Sequence, residues 1–191
     1  IRDRSPSRGL GDVYKRQEQG ATHAAQGFAR VSGETGVVLV TSGLAATNII
    51  TGVADAMVDS TPMVVITGQI SSSLLGTDAF QETDVVGITQ PVTKWSYQIR
   101  RTEDIPWAVA RAFYIARSGR PGPVVLDFTK DAQVGTAEFH YQKCNFIRSY
   151  NPYPPINKEE INRAATLINQ SKKPLLLIGQ GVILAMPKMK Y

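Results

Sequence analysis

Three short apolar runs constrain this chain more than any other feature: residues 37–41 (VVLVT), 63–67 (MVVIT) and 124–128 (VVLDF). Each is too short for a helix, rich in β-branched residues and nearly continuous. Strands of a parallel sheet covered on both faces read this way. Helical patterns lie between them. Ala21, Ala24, Ala25, Phe28 and Ala29 share one helical face, whose small residues would let that helix lie close to a neighbour, and Gly36 is expected to end it. Thr41-Ser42-Gly43 turns into a second helix carrying Ala45, Ala46, Ile49, Ile50 and Val53. Residues 68–84 read as a polar loop running into a helix, and 91–97 with Ile99 as β-like. A helix over 103–118 carries Ile105, Val109, Ala112, Phe113 and Ala116. Strands alternating with helices imply βαβ units with right-handed crossovers, hence an α/β fold with a parallel sheet flanked by helices.

Beyond residue 131 the pattern lapses. Asn151 and the prolines after it (NPYPP) favour extended backbone, which marks a linker. Residues 158–170 resume as a helix with Ile161, Ala164, Ala165 and Ile168 on its apolar side. Residues 173–181 (KPLLLIGQG) read as a strand and glycine turn opening a second α/β domain.

Composition narrows the class. The 191 residues suffice for one domain and part of another, and a hydrophobic content of 42% is ordinary for a globular protein. The lone Cys144 allows no internal disulfide, and His23 and His140 stand apart from other ligand-type residues, so no metal site is expected in this chain. No apolar run reaches the roughly 20 residues that span a bilayer. No secretory signal is visible, and a cytoplasmic enzyme is the expectation. The net charge of +5 is uneven: Arg2, Arg4, Arg8, Lys15 and Arg16 against Asp3 and Asp12 put three of those charges in residues 1–17. The rest carries only +2, which gives no footprint for nucleic acid.

Residues 1–17 follow neither helical nor strand periodicity. Residues 12–17 (DVYKRQ) back-translate as GATGTGTATAAGAGACAG, which resembles a transposon end used in preparing sequencing libraries. The expectation is an adapter-derived, non-native tail, with the first strand and helix of the domain absent. The last residues, MPKMKY, do not resemble a natural terminus.

Four segments carry chemistry. Residues 18–30 (EQGATHAAQGFAR) place the carboxylate of Glu18 at a helix N-terminus, where the macrodipole favours a negative charge. That segment, with 41–48 (TSGLAATN), 76–84 (GTDAFQETD) and 118–131 (SGRPGPVVLDFTKD), resembles the thiamine-diphosphate enzymes, in the branch of acetolactate (acetohydroxyacid) synthase catalytic subunits. The resemblance runs from Glu18 to about Ala185. It implies a pyrimidine-binding domain over 18–130, a linker over 131–157 and the start of an FAD-binding-type domain over 158–191. By the same resemblance, Glu18 bonds the cofactor's aminopyrimidine and promotes its imino tautomer. A desolvated carboxylate would suit that role. Phe80 and Gln81 border the active site, Leu44 and Asn48 contact the cofactor, and Lys130 stands at the substrate entrance. Arg120 and the turn Gly179, Gln180 and Gly181 contact FAD.

The chain departs from the family pattern TSGPGATN at Leu44 and Ala45, and from a proline at Thr129. Ala45 is expected to strain the turn if a positive φ is needed there, and Leu44 to crowd the pyrimidine. The activity implied is decarboxylation of pyruvate and transfer of the two-carbon unit to pyruvate or 2-ketobutyrate, towards branched-chain amino acids. Implied partners are a second catalytic subunit and a regulatory small subunit, with Mg²⁺ ligands outside this chain. As a fragment, the chain alone is expected to be inactive. Two alternatives stand beside it. One is another thiamine-diphosphate enzyme, such as a pyruvate oxidase, a decarboxylase or a catabolic acetolactate synthase. The other is a non-catalytic nucleotide-binding module.

Overall fold

The computed structural model describes residues 17–185. The described residues divide into two compact units between Pro152 and Tyr153.

The first unit is built on four parallel strands in the order β1-β2-β4-β3: β1 Gly36–Val40, β2 Met63–Gly68, β3 Trp95–Ile99 and β4 Pro123–Phe128. The three apolar runs are β1, β2 and β4. β2 and β4 hold the centre, with Met63 opposite Pro123 and Gly68 opposite Phe128. Every residue of β4 is buried. Helix α5 (Ile105–Arg117) covers the face presenting Val64, Val124 and Leu126, through Ala108, Ala112, Ile115 and Ala116. Helix α1 (Glu18–Ser32) and helix α3 (Ile50–Val58) cover the other, around Val38, Ile49, Val53, Met63, Val65 and Val125. The expected parallel α/β sheet is therefore present.

Boundaries and faces differ from the sequence reading in several places. Gly33, not Gly36, ends α1; its φ of 68° is the left-handed cap that glycine adopts without strain. Gly36 instead opens β1, where an added Cβ would lie 2.4 Å from the Ala25 carbonyl oxygen. The buried stripe of α1 is Thr22, Ala25, Gln26 and Ala29, while Phe28 stays 56% exposed. Two polar residues are buried because of what α3 offers: Gln26 Nε2 donates to the Gly52 carbonyl at 2.6 Å, and Thr22 lies against the bare Cα of Gly52. The second helix is two pieces, α2 (Leu44–Asn48) and α3. Residues 90–92 form a 3-10 turn, so β3 starts only at Trp95.

After β4 comes a short helix, α6 (Lys130–Val134), and Ile147 and Tyr150 pack back on the α5 side of the core. In the second unit, α7 (Lys158–Gln170) is capped by Asn157, whose side chain accepts from the Glu159 and Glu160 amides. Its apolar side is uncovered, with Ile161 and Ile168 half exposed. The strand expected at 173–178 is not formed: Leu175 to Ile178 are exposed, and among the described residues of this unit no strand pairs with them. Gly179 instead leads into α8 (Gln180–Ala185).

Candidate functional site

In a parallel sheet every strand delivers its following loop to one edge, the usual place for a ligand. Three such loops carry residues singled out in the sequence. Residues 41–43 follow β1, residues 69–84 follow β2, and Thr129 and Lys130 follow β4.

Glu18 is the first residue of α1 and is half-buried. Asn48, the last residue of α2, donates from Nδ2 to Glu18 Oε2 at 3.2 Å. Residues 30 apart in sequence are thus joined because α1 packs across α2 and α3. Glu18 is half-buried and not fully desolvated as this chain stands.

At the other end of α2, Gly43 has φ 68° and ψ −126°, a conformation reserved for glycine. A Cβ there would lie 2.9 Å from both Cα and Cβ of Gln81. Ser42 Oγ donates to Gln81 Oε1 at 3.3 Å. The turn after β1 and the loop after β2 therefore close on one another. Asn48 lies five residues beyond Gly43, a helical rise of roughly 7.5 Å. Two contacts, Glu18–Asn48 and Ser42/Gly43–Gln81, thus stand at the two ends of α2 and delimit a strip along it, with Leu44, Ala45, Ala46 and Thr47 between them.

The strain expected at Ala45 is absent. It lies in the helical backbone of α2, buried, and the positive φ belongs to Gly43 two residues earlier. Leu44 is 78% exposed at the start of α2. Thr129 is buried, and both its N–H and its hydroxyl donate to the Ile99 carbonyl. A proline could not supply that N–H.

The loop 76–84 is shaped by its own side chains. Glu82 accepts from the amides of Gly76 and Ala79, and these backbone donors hold its carboxyl below the usual carboxylate range. Gly76, Asp78 and Gln81 all have positive φ. Phe80 is 89% exposed, so it is not a core aromatic, and Gln81 lies in a turn and not on a helix. Lys130 projects outward at the start of α6, while its amide donates to the Ile70 carbonyl.

Arg120 stands apart from this strip. It precedes β4, at the opposite edge of the sheet. Its Nε donates to Ser60 Oγ at 2.8 Å, and Nη2 donates to the Met57 and Val58 carbonyls at 3.0 and 2.9 Å. It thereby closes the C-terminus of α3, where orphan carbonyls and the helix dipole favour a cation. Gly179, Gln180 and Gly181 belong to the second unit, at the start of α8. Among the described residues no cluster of metal-ligating side chains occurs. No described helix is long and apolar enough to cross a membrane.

Sequence reasoning missed Ser42, Gly43, Gln69 and Asp127. The signal for Asp127 was visible: one carboxylate inside an otherwise apolar, fully buried strand run. It is wholly buried, and that burial raises its pKa. It accepts from Thr67 Oγ1 at 2.7 Å and from Nε2 of Gln98 and Gln69 at 2.9 and 3.2 Å.

The strip suits a flat, amino-substituted heterocycle. It offers a carboxylate and an amide side by side, and a glycine turn that allows close backbone approach. Known proteins resemble this chain as a whole. Residues 5–88 match the family described as "Thiamine pyrophosphate enzyme, N-terminal TPP binding domain". The match begins inside the 1–17 stretch, of which residues 1–16 lie outside those described. The chain is 49% identical over 177 residues to an acetolactate synthase large subunit of Buchnera aphidicola, covering 92% of this chain and 31% of that protein. It is 50% identical over 173 residues to the Corynebacterium glutamicum large subunit, covering 91% and 28%. With the Escherichia coli isozyme 3 large subunit it shares 49% identity over 179 residues, covering 93% and 31%. The chain thus spans about three-tenths of the length of these relatives.

Proposed function

On the premise that the chain belongs, through residues 5–88, to the thiamine pyrophosphate enzymes, we propose that it is the pyrimidine-facing part of an acetolactate synthase catalytic subunit. The observation that carries this reading is the Glu18–Asn48 pair, held beside the Gly43–Gln81 closure at the ligand edge of the sheet.

Thiamine diphosphate, when bound, supplies the electron sink that lets a 2-keto acid lose carbon dioxide. The residues of this chain orient and protonate. Glu18 would exchange a proton with the ring edge of a bound pyrimidine, donating it as the carboxylic acid and then, as the carboxylate, accepting the hydrogen bond back, as general acid–base work requires. Asn48 fixes the carboxylate through Oε2, leaving Oε1 for the ring. Gly43 lets backbone approach the ring face. Gln81 and the exposed Phe80 border the reacting end, and Lys130 attracts the carboxylate of an incoming keto acid.

Pyruvate is the first substrate, and pyruvate or 2-ketobutyrate the second. The incomplete burial of Glu18 fits a site completed by a second catalytic subunit, which would desolvate it. A regulatory small subunit, a cytoplasmic location and Mg²⁺ ligands outside this chain complete the reading. FAD belongs to it by resemblance alone. Arg120, its expected anchor, already spends Nε and Nη2 on α3, so it fits a flavin contact only through Nη1.

The test is product analysis. The full-length gene product, given pyruvate, thiamine diphosphate and Mg²⁺, is expected to release acetolactate. Acetaldehyde or acetate as the main product would move it to a decarboxylase or oxidase. Failure to bind thiamine diphosphate would remove the reading.

A further inference from the structure

Gln69 connects two things that are far apart in sequence. Its Nε2 carries two hydrogens. One goes to the buried carboxylate of Asp127 at 3.2 Å, the other to the Thr83 carbonyl at 2.7 Å. Its Oε1 accepts from the Ile70 amide, which fixes the orientation of the side-chain amide. Gln69 is itself buried, and its backbone N–H donates to the Phe128 carbonyl next to Asp127. Gln98 donates to the same oxygen of Asp127, Oδ2, and Thr67 holds the other, Oδ1. The far end of the 69–72 segment is fastened separately: Asp131 accepts from both the amide and the hydroxyl of Ser72.

The loop tethered in this way is the one that carries Phe80 and Gln81. It runs into α4 (Val85–Thr89), whose Val85 is buried in the core and donates its N–H to the same Thr83 carbonyl, and Asp78 and Gln81 hold positive φ values that cost energy without glycine. A strained loop persists only when its surroundings over-determine it. We infer that Gln69, seated on Asp127, is a positioning residue that holds the 76–84 loop so that Gln81 closes on Gly43. Neither touches the proposed cofactor; both act through Thr83. This rests on the functional reading above.

Three variants of the full-length enzyme separate positioning from general stability. Gln69→Met keeps the length of the side chain and removes both donors, together with the Oε1 acceptor of the Ile70 amide. Thr67→Val removes an equally buried bond to the same carboxylate without touching the loop. Asp127→Asn preserves the geometry, since its oxygen can accept from both glutamines while its NH₂ donates to the Thr67 hydroxyl. Hydrogen exchange of the 76–84 amides is the first readout and thiamine diphosphate affinity the second. Gln69→Met is expected to lower protection of the loop and weaken the cofactor about tenfold, the effect of losing roughly one net hydrogen bond. Thr67→Val is expected to lower the melting temperature and leave loop protection and affinity at wild-type values. Asp127→Asn should stay within about twofold of wild type. Unchanged loop protection in Gln69→Met would overturn the inference. So would an equal loss in Thr67→Val, or a loss in Asp127→Asn as large as in Gln69→Met. If the wild-type enzyme binds no thiamine diphosphate, the functional reading falls, while the exchange comparison still decides the tether.

Discussion

The seating of Glu18 depends on a glycine that is not in the site. Gly52 in α3 faces Thr22 in α1, one turn after Glu18. A Cβ at Gly52 would lie 1.9 Å from Thr22 Oγ1 and 2.5 Å from Thr22 Cβ, where ordinary contact begins at 3.4 Å. Rotating the Thr22 hydroxyl away does not help, because the Cβ shortfall of about 0.9 Å (3.4 less 2.5) remains. The helices must part. Overpacking of this kind costs about 1–3 kcal/mol. The Gln26 bond to the Gly52 carbonyl, about 1 kcal/mol net, is stretched at the same time. Against this, alanine gains about 1 kcal/mol of helix propensity over glycine. The balance for Gly52→Ala is a loss of about 1–3 kcal/mol. Moving the small residue to the other helix should recover part of it. The double variant Gly52→Ala with Thr22→Gly is expected to be more stable than the sum of its single changes, with a coupling of about 1–2 kcal/mol. Equilibrium denaturation of wild type, both single variants and the double variant measures this. If Gly52→Ala is as stable as wild type, or the cycle closes with no coupling, the helix contact does not seat Glu18 as described.

Three further expectations follow from the same geometry. Arg120→Ala removes three bonds from the C-terminus of α3, so it should lower the melting temperature of the flavin-free enzyme as well as the flavin-loaded one; a drop confined to the loaded enzyme would make Arg120 a flavin ligand first. Asp131, held down to about 2 by the Ser72 amide and hydroxyl, and Glu82, held below its ordinary 4.5 by backbone donors, have folded-state values below their unfolded ones. Their stabilisation is complete above about pH 4.5 and is lost as the pH falls towards 2, so exchange protection of residues 69–84, corrected for intrinsic rates, should decline over that window; Glu82→Gln should flatten the decline. Leu44→Pro, restoring the family residue at an exposed helix start, should leave stability within about 0.5 kcal/mol and raise thiamine diphosphate affinity; unchanged affinity would mean that Leu44 does not crowd the cofactor.

The sheet was legible because its strands are continuous β-branched runs, and burial on both faces demands that. The helix faces were less so. Apolar periodicity pointed to Ala24 and Phe28 on α1, but the buried stripe takes Thr22 and Gln26, because a bare glycine and its carbonyl on α3 select a small hydroxyl and an amide. Gly33 and Gly36 competed for one helix end, and only the left-handed backbone at Gly33 decides between them. The loop 76–84 was recognisable as a motif, yet its shape was not. Positive φ at Asp78 and Gln81 has no glycine to announce it, and the tether through Gln69 joins residues 14 and 58 positions apart. Residues 173–178 show the converse case. A strand-like composition forms a strand only where neighbours complete its ladder, and the described residues of the second unit supply none. The expectation that residues 1–17 are adapter-derived falls almost wholly on residues outside those described; native DNA encoding that stretch in an intact clone would remove it.

The central claim is that the carboxylate of Glu18 serves the pyrimidine of a bound thiamine diphosphate. The most direct measurement is the rate of C2 hydrogen–deuterium exchange of the cofactor on the full-length enzyme, wild type against Glu18→Gln. The side chain keeps its size and its hydrogen bond to Asn48 but loses the proton-holding group. The account predicts exchange slowed by about 10²–10⁴-fold. Exchange at the wild-type rate, with the cofactor bound, would contradict it.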